Sequence, residues 1–291
     1  MRIRLLAVAA AFSIVFSTGY AKAATFNVDC DAALPPPGVF QTIQAALDAA
    51  AEGDTIEVSG TCNESITIRN DHTVVDGQSV VFGGVGGAKI IVPVASGDRA
   101  VSIRADFVTI VGFSEIIGER QGISVSGNNQ SIRGNTIKDS DSHTIILTSN
   151  ASASIRDNVI TNSGFHGIRV ARGANATIQD NTITGSRRHG IQLSEVSSGE
   201  IEGNTITDNG RNGLTVSANA AVRLRDAPNV FERNGGSGIA CSTGGSLDLD
   251  TAPVFGTGAD ANAEGDISVS DTCVIKGDAA ESLGFKPEKF K

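Results

Sequence analysis

Short apolar runs recur through residues 122–242 at a near-constant interval, and the same polar phrase precedes one of them in each interval. It reads Gly134-Asn135-Thr136-Ile137, Asp157-Asn158-Val159-Ile160, Asp180-Asn181-Thr182-Ile183, Gly203-Asn204-Thr205-Ile206 and Pro228-Asn229-Val230-Phe231. The asparagines fall 23, 23, 23 and 25 residues apart. A second phrase keeps step: Gly122-Ile123, Thr144-Ile145, Gly167-Ile168, Gly190-Ile191, Gly213-Leu214 and Gly238-Ile239. A period in the twenties with no helical pattern predicts a β-solenoid in which each repeat is one coil.

Side chains alternate across a strand, so the inward columns can be written from parity. Ile145, Ile168, Ile191, Leu214 and Ile239 form one, and Ile132, Ile155, Ile178, Ile201 and Leu224 a second. Ile137, Ile160, Ile183, Ile206 and Phe231 form a third. Three apolar stacks per turn imply three sheets around a narrow core. Asn135, Asn158, Asn181, Asn204 and Asn229 share one position between two stacks. Asparagine tolerates left-handed backbone and its amide donates and accepts along the axis, so this position is expected to be a buried ladder.

Upstream, Ile43, Ala46, Leu47 and Ala50 have helical spacing, with Thr42 near the start and Gly53 past the end. A helical cap over about 40–52 would cover the open end of the stack. Thr55-Ile56-Glu57-Val58, Ile66-Thr67-Ile68, Val101-Ser102-Ile103 and Val108-Thr109-Ile110 alternate as strands, and Gly83–Gly87 is a glycine-rich turn. After Ser242, Gly265 to Val269 predicts one wider coil returning about 28 residues after Ile239, and Phe285–Lys291 is expected to be a loose tail.

The run from Phe40 to Ala50, followed by Gly53-Asp54-Thr55-Ile56 and Asn63-Glu64-Ser65-Ile66, resembles the cap and first coil of pectin-lyase-like right-handed parallel β-helix proteins. With the 23-residue coils, the resemblance covers most of the chain. It implies the fold and not one activity, since proteins that look like this include pectate lyases, polygalacturonases, alginate lyases and epimerases, and also phage, surface and periplasmic proteins with no known chemistry. Neither the Trp-x-Asp-His of pectate lyases nor the Asn-Thr-Asp, Asp-Asp and Gly-His-Gly set of polygalacturonases is present. Arg188-His189-Gly190-Ile191 resembles the His-Gly-Ile coils of mannuronan epimerases, without that family's Asp-Pro-His. The expected fold is therefore an all-β, single-stranded right-handed parallel β-helix over 24–291, with regular coils over about 122–242 and a C-terminal coil and tail over 243–291.

Residues 1–23 read as a signal peptide: Arg2 and Arg4, an apolar run from Leu5 to Phe16, then Ala21-Lys22-Ala23. The mature chain is expected to be secreted or periplasmic, with no membrane insertion after the leader is removed. Without the leader, 20 basic residues face 32 acidic ones, a formal charge of −12. That balance argues against nucleic acid as a partner. Cys30, Cys62, Cys241 and Cys273 are an even count in an exported chain, expected to pair Cys30 with Cys62 and Cys241 with Cys273, one staple near each end.

The column with most chemistry is His143, His166, His189, Asn212 and Ser237. Arg188 and Arg211 precede His189 and Asn212, Arg169 and Gln192 lie three residues after His166 and His189, and Asp139 and Asp141 precede His143. Abstraction of a proton beside a sugar carboxylate needs a base and a positive group for the developing enolate. A neutral histidine with Arg169 or Arg188 would supply both, and Asp141 is the nearby carboxylate. Glycoside hydrolysis needs two flanking carboxyls, and Asp139, Asp141 and Glu195 offer no evident pair. Structural stacking of the rings is the competing reading. Outward rings beside Arg169 would favour an enzyme, and inward stacking a scaffold.

No cofactor is predicted, and a divalent metal on adjacent histidines stays open. The mature chain has no tryptophan and no tyrosine, the rings sugar grooves usually exploit. The leading function is binding or modification of a polysaccharide, of lyase, epimerase or hydrolase type if catalytic. The alternative is a non-catalytic structural or surface-interaction protein. The residues do not set an oligomeric state.

Overall fold

The computed structural model describes residues 23–77, 87–93, 96–270 and 272–285. Nearly all of the signal peptide, most of the Gly83–Gly87 turn and residues 286–291 lie outside them. The described strands form three parallel sheets, here A, B and C, of twelve, nine and nine strands. The chain visits them in rotation. Asn175–Gln179 lies in sheet A, Thr182–Thr184 in B and Ile191–Leu193 in C, and Ser198–Glu202 returns to A one coil on. This is a parallel β-helix.

The three apolar columns are the walls of the core. Ile155, Ile178 and Ile201 pair in register in sheet A, Ile160, Ile183 and Ile206 in B, and Ile145, Ile168 and Ile191 in C. All nine are fully buried. β-Branched side chains fit the pleated surface at each of these positions, so strand propensity and burial select isoleucine in these coils, with Leu214, Leu224 and Phe231 taking over further along.

The bend between sheets A and B is built by the expected asparagines. The Asn181 amide donates to the carbonyls of Ile155 and Gln179, both at 2.9 Å, and to Asn204 Oδ1 at 2.9 Å. Its own Oδ1 accepts from Asn158 N and Nδ2, both at 3.0 Å. A second ladder, not anticipated, runs through the bend between sheets B and C. There Asn209 and Asn234 donate to Asn234 Oδ1 and Asn262 Oδ1 at 3.0 and 2.9 Å. It is masked in the sequence because Ser140, Ser163 and Ser186 hold the same place in earlier coils.

Both ends are closed. The helix Ile43–Ala49 buries Ile43, Ala46 and Leu47, and Thr42 accepts from Ala45 N at its start. Glu64 on the coil below accepts from Ile43 N and Gln44 N at 2.7 and 3.0 Å, which fixes the helix across the first coil. At the other end Ile267–Val269 pairs with Ile239–Cys241, the wider coil expected there, and Val274–Lys276 adds a last strand to sheet A. Ala280 is buried, with Leu283 and Phe285 packed on the core. Phe285 thus belongs to the fold and not to the tail: its ring finds apolar surface, and its N–H bonds Ala280 O at 3.0 Å. The expected disulfides Cys30–Cys62 and Cys241–Cys273 both form. No helix among the described residues is long and apolar enough to cross a membrane.

Candidate functional site

The histidine column stands in the turn from sheet B into sheet C, one ring per coil. The rings of His143 and His166 stack at 5.1 Å with planes 10° apart, and those of His166 and His189 at 5.0 Å and 8°. His143 and His166 are buried, and His189 is half-buried. The backbone sets this arrangement: His166 Nδ1 accepts the His189 N–H at 3.3 Å, and His189 Nδ1 accepts the Asn212 N–H at 3.2 Å. Asn212 continues the column with its amide oxygen, which takes the Ser237 N–H at 2.9 Å.

That bonding decides the chemistry. A ring whose Nδ1 accepts a hydrogen bond carries its proton on Nε2, so the remaining nitrogen of His166 and of His189 is a donor. Burial pushes the pKa of His143 down to about 4, helped by the positive charges of Arg169 and Arg188. Burial does the same to His189, with Arg211 and Arg188 adding to it. His166, between two rings, is driven lower still by burial and then by its neighbours. All three are neutral at pH 7. A neutral donor with so low a proton affinity suits a structural ladder better than a general base. Metal binding would need the ring lone pairs that His166 and His189 spend on the backbone. Cys30 and Cys62 lie near Glu64, but the sulfurs are joined to each other and have no thiolate to give.

Two of the expected arginines join the column. Arg169 projects from the sheet C strand Ile168–Val170 and binds Glu195 Oε1 through Nη2 at 2.8 Å, while Arg172 holds the other oxygen at 3.4 Å. Arg169 Nε is buried without a partner. The Arg188 guanidinium lies 3.8 Å above the Phe165 ring, which meets His166 edge-on at 4.5 Å. Asp141 is exposed in the turn before His143, and its N–H donates to Glu119 O. His143, His166, His189, Arg169 and Arg188 are therefore brought together, with Asp141 on the surface.

Among the described residues, an open concavity lies elsewhere, on the outer face of sheet A. Two adjoining hollows of about 450 and 400 Å³ share Asn175 and Thr177 and make one trough. Its floor is a column in continuous register: Ser131, Ser154, Thr177, Glu200, Arg223, Asp248 and Lys276. Seven strands at ~4.8 Å spacing make the column roughly 29 Å long. Its first half carries hydroxyls, with the amides of Asn129 and Asn175 beside them in the hollow. In its second half each charge has an opposite partner: Glu200 with Arg225 at 3.0 Å, Arg223 with Asp250 at 2.5 Å and Asp248 with Lys276 at 3.3 Å. None of these residues was a sequence candidate. The signal is the outward parity flanking each buried isoleucine, as in Ser131-Ile132-Arg133 and Ser154-Ile155-Arg156.

Residues 121–273 match the family described as "Right handed beta helix region", and this stretch is more than half of the chain. The protein belongs to that family. Among solved structures, alginate lyase from Paenibacillus sp. strain FPU-7 is 17% identical with a TM-score of 0.62, over 87% of this chain and 98% of the lyase. Pectate lyase Pel9A is 12% identical with a TM-score of 0.56, over 88% of this chain and 78% of its own. The enzymatically active domain of tailspike protein 2 from bacteriophage CBA120 is 13% identical with a TM-score of 0.61, over 86% of this chain and 47% of its own. At such identities the likeness is one of fold. No curated protein matches the sequence at a significant level.

Proposed function

We propose that this protein is an exported β-helix that binds an extended polysaccharide along the outer face of sheet A. The observation that carries this reading is the trough itself, open and polar, with one row of side chains per coil. A polymer of repeating sugars meets a surface of repeating strands, and hydroxyl and amide groups exchange hydrogen bonds with sugar hydroxyls without a buried charge. The alginate and pectate lyases of similar fold make a carbohydrate ligand a natural choice. Binding, rather than chemistry, agrees with the neutral, backbone-bonded state of the histidines. The leader-like residues 1–23 and the two disulfides support export.

Affinity electrophoresis of the purified mature protein against neutral and acidic polysaccharides tests this. Ser131→Ala, Ser154→Ala and Thr177→Val together remove the hydroxyls from three coils of the trough. Binding weakened about ten-fold or more by the triple change is the expected result; binding that ignores it sinks the trough as the site. The catalytic reading of His143, His166, His189, Arg169, Arg188 and Asp141 is tested on the same preparation. A search for new unsaturated ends, new reducing ends or epimerised sugars, with His166→Ala and His189→Ala alongside, is expected to find no turnover. Turnover lost in a folded variant would establish chemistry on the column.

A further inference from the structure

Resting on the proposed binding in the trough, we infer that the polymer is acidic and that Arg133 and Arg156 form the seat for its anionic groups. The two arginines pair in register on neighbouring coils of sheet A, which sets their backbones ~4.8 Å apart. Each stands two residues after a trough hydroxyl, Ser131 or Ser154, and so shares its face of the sheet. Both are exposed.

Two features set this pair apart. Elsewhere on this face positive charges are neutralised: Arg223 binds Asp250, Arg225 binds Glu200 and Lys276 binds Asp248. Among the described residues, neither Arg133 nor Arg156 has a carboxylate within ion-pair distance, although the chain carries a net charge of −9 and has acids to spare. Like charges in direct cross-strand register repel, so the arrangement costs stability until an anion lies between them. The second feature is orientation. Arg156 Nε donates to Ser154 Oγ at 2.9 Å, which turns the guanidinium toward the hydroxyl row and leaves its terminal nitrogens for a ligand. A guanidinium matches carboxylate and sulfate oxygens two at a time.

The same column also limits the seat. The next two positions after Arg156 are Gln179, which donates to Glu202 Oε1 at 3.1 Å, and Glu202 itself. An anionic group is therefore attracted to the coils of Arg133 and Arg156 and repelled from that of Glu202. On an acidic molecule such a local seat fixes the register of a charged polymer. A nucleic acid is a poorer fit, because no aromatic ring lines the trough to stack on bases.

The test compares polygalacturonate, dextran sulfate, neutral dextran and poly-dT against the wild type and Arg133→Gln/Arg156→Gln. Arg187→Gln/Arg211→Gln removes the same charge from exposed positions in the turn between sheets B and C. The expected result is about ten-fold or greater loss of acidic-polysaccharide binding in the Arg133/Arg156 variant alone, a gap that closes as salt is raised. Dextran affinity should not depend on either pair. Preference between polygalacturonate and dextran sulfate then identifies carboxylate or sulfate as the seated group. Acidic-polymer binding that survives the Arg133/Arg156 change, falls equally in the control, or is surpassed by poly-dT overturns the inference. Dextran binding that the hydroxyl-stripping triple variant abolishes would then leave the trough reading standing; no binding by any polymer removes both.

Discussion

At the scale of single residues the histidine ladder makes the clearest demands. His143 and His166 are neutral and buried in the folded chain, but titrate near 6.5 once unfolded. Between about pH 6.5 and 4 the unfolded chain binds more protons, so stability is fully present above 6.5 and falls as pH drops through that window. His143 alone contributes a slope of ~1.4 kcal/mol per pH unit there. The groups around these rings that oppose protonation are Arg169 and Arg188, with Arg211 beside His189. The melting temperature is expected to fall steadily from pH 6.5 to pH 4.5. His166→Asn should flatten the slope while keeping the fold, because Asn212 already shows an amide oxygen taking the ladder N–H. An equally steep slope in the variant would mean the ring is not the titrating group. Val196 makes a different demand. It has φ of 63° and is 70% exposed, where the corresponding residues of other coils are Asn150, Gly173, Asn219 and Gly244. A β-branched residue is strained in that region, so Val196→Asn is expected to stabilise by ~1 kcal/mol, read as a higher melting temperature.

At the scale of elements, each turn holds what the flat strands cannot. Asn181→Ala removes three donated bonds and leaves Asn158 N and Nδ2 facing an empty acceptor position inside the bend. Buried polar groups stripped of partners cost ~1–3 kcal/mol each, so this change is expected to lower stability by more than a histidine-to-asparagine exchange in the other ladder. Chemical denaturation of the two variants side by side checks the order. The elements also differ in how far the sequence disclosed them. Inward positions repeat because every coil solves the same packing problem, so Ile155, Ile178 and Ile201 could be aligned by period alone. The Asn135 to Asn229 ladder was legible for the same reason. The bend through Ser186, Asn209, Asn234 and Asn262 was not, since serine and asparagine exchange there and the last coil is longer. Outward residues answer to solvent or ligand and vary from coil to coil, so Ser131, Thr177 and Arg223 share a column that no repeat advertises. The histidines did advertise themselves by repetition, which is why they drew chemical attention; repetition there serves backbone bonding.

At the scale of the whole molecule, a solenoid is close to one-dimensional: each coil has neighbours above and below, and the end coils have only one. Local stability should therefore be lowest where a neighbour is missing, and loss of structure should start at the ends. This chain places its stabilising extras at those points. The helix Ile43–Ala49 and the Cys30–Cys62 bond sit on the first coils, and Ala280, Leu283, Phe285 and the Cys241–Cys273 bond sit on the last. Each disulfide closes a sequence separation of 32 residues, which in a chain-entropy account removes ~3–4 kcal/mol of freedom from the unfolded state. Reduction should thus act unevenly. Hydrogen exchange on the oxidised protein is expected to show protection extending nearly to both caps. After reduction, amides of residues 25–68 and 239–276 should exchange first, while the strands from Ile145 to Glu232 keep their protection, because among them only Val216 pairs with a bonded cysteine, Cys241. Two-ended fraying with an intact middle would establish that the caps and disulfides confine a fold whose interior is self-sufficient. Simultaneous loss across all coils would show instead that the coils melt as one cooperative unit, and that the end staples stabilise the trough of sheet A along its whole length.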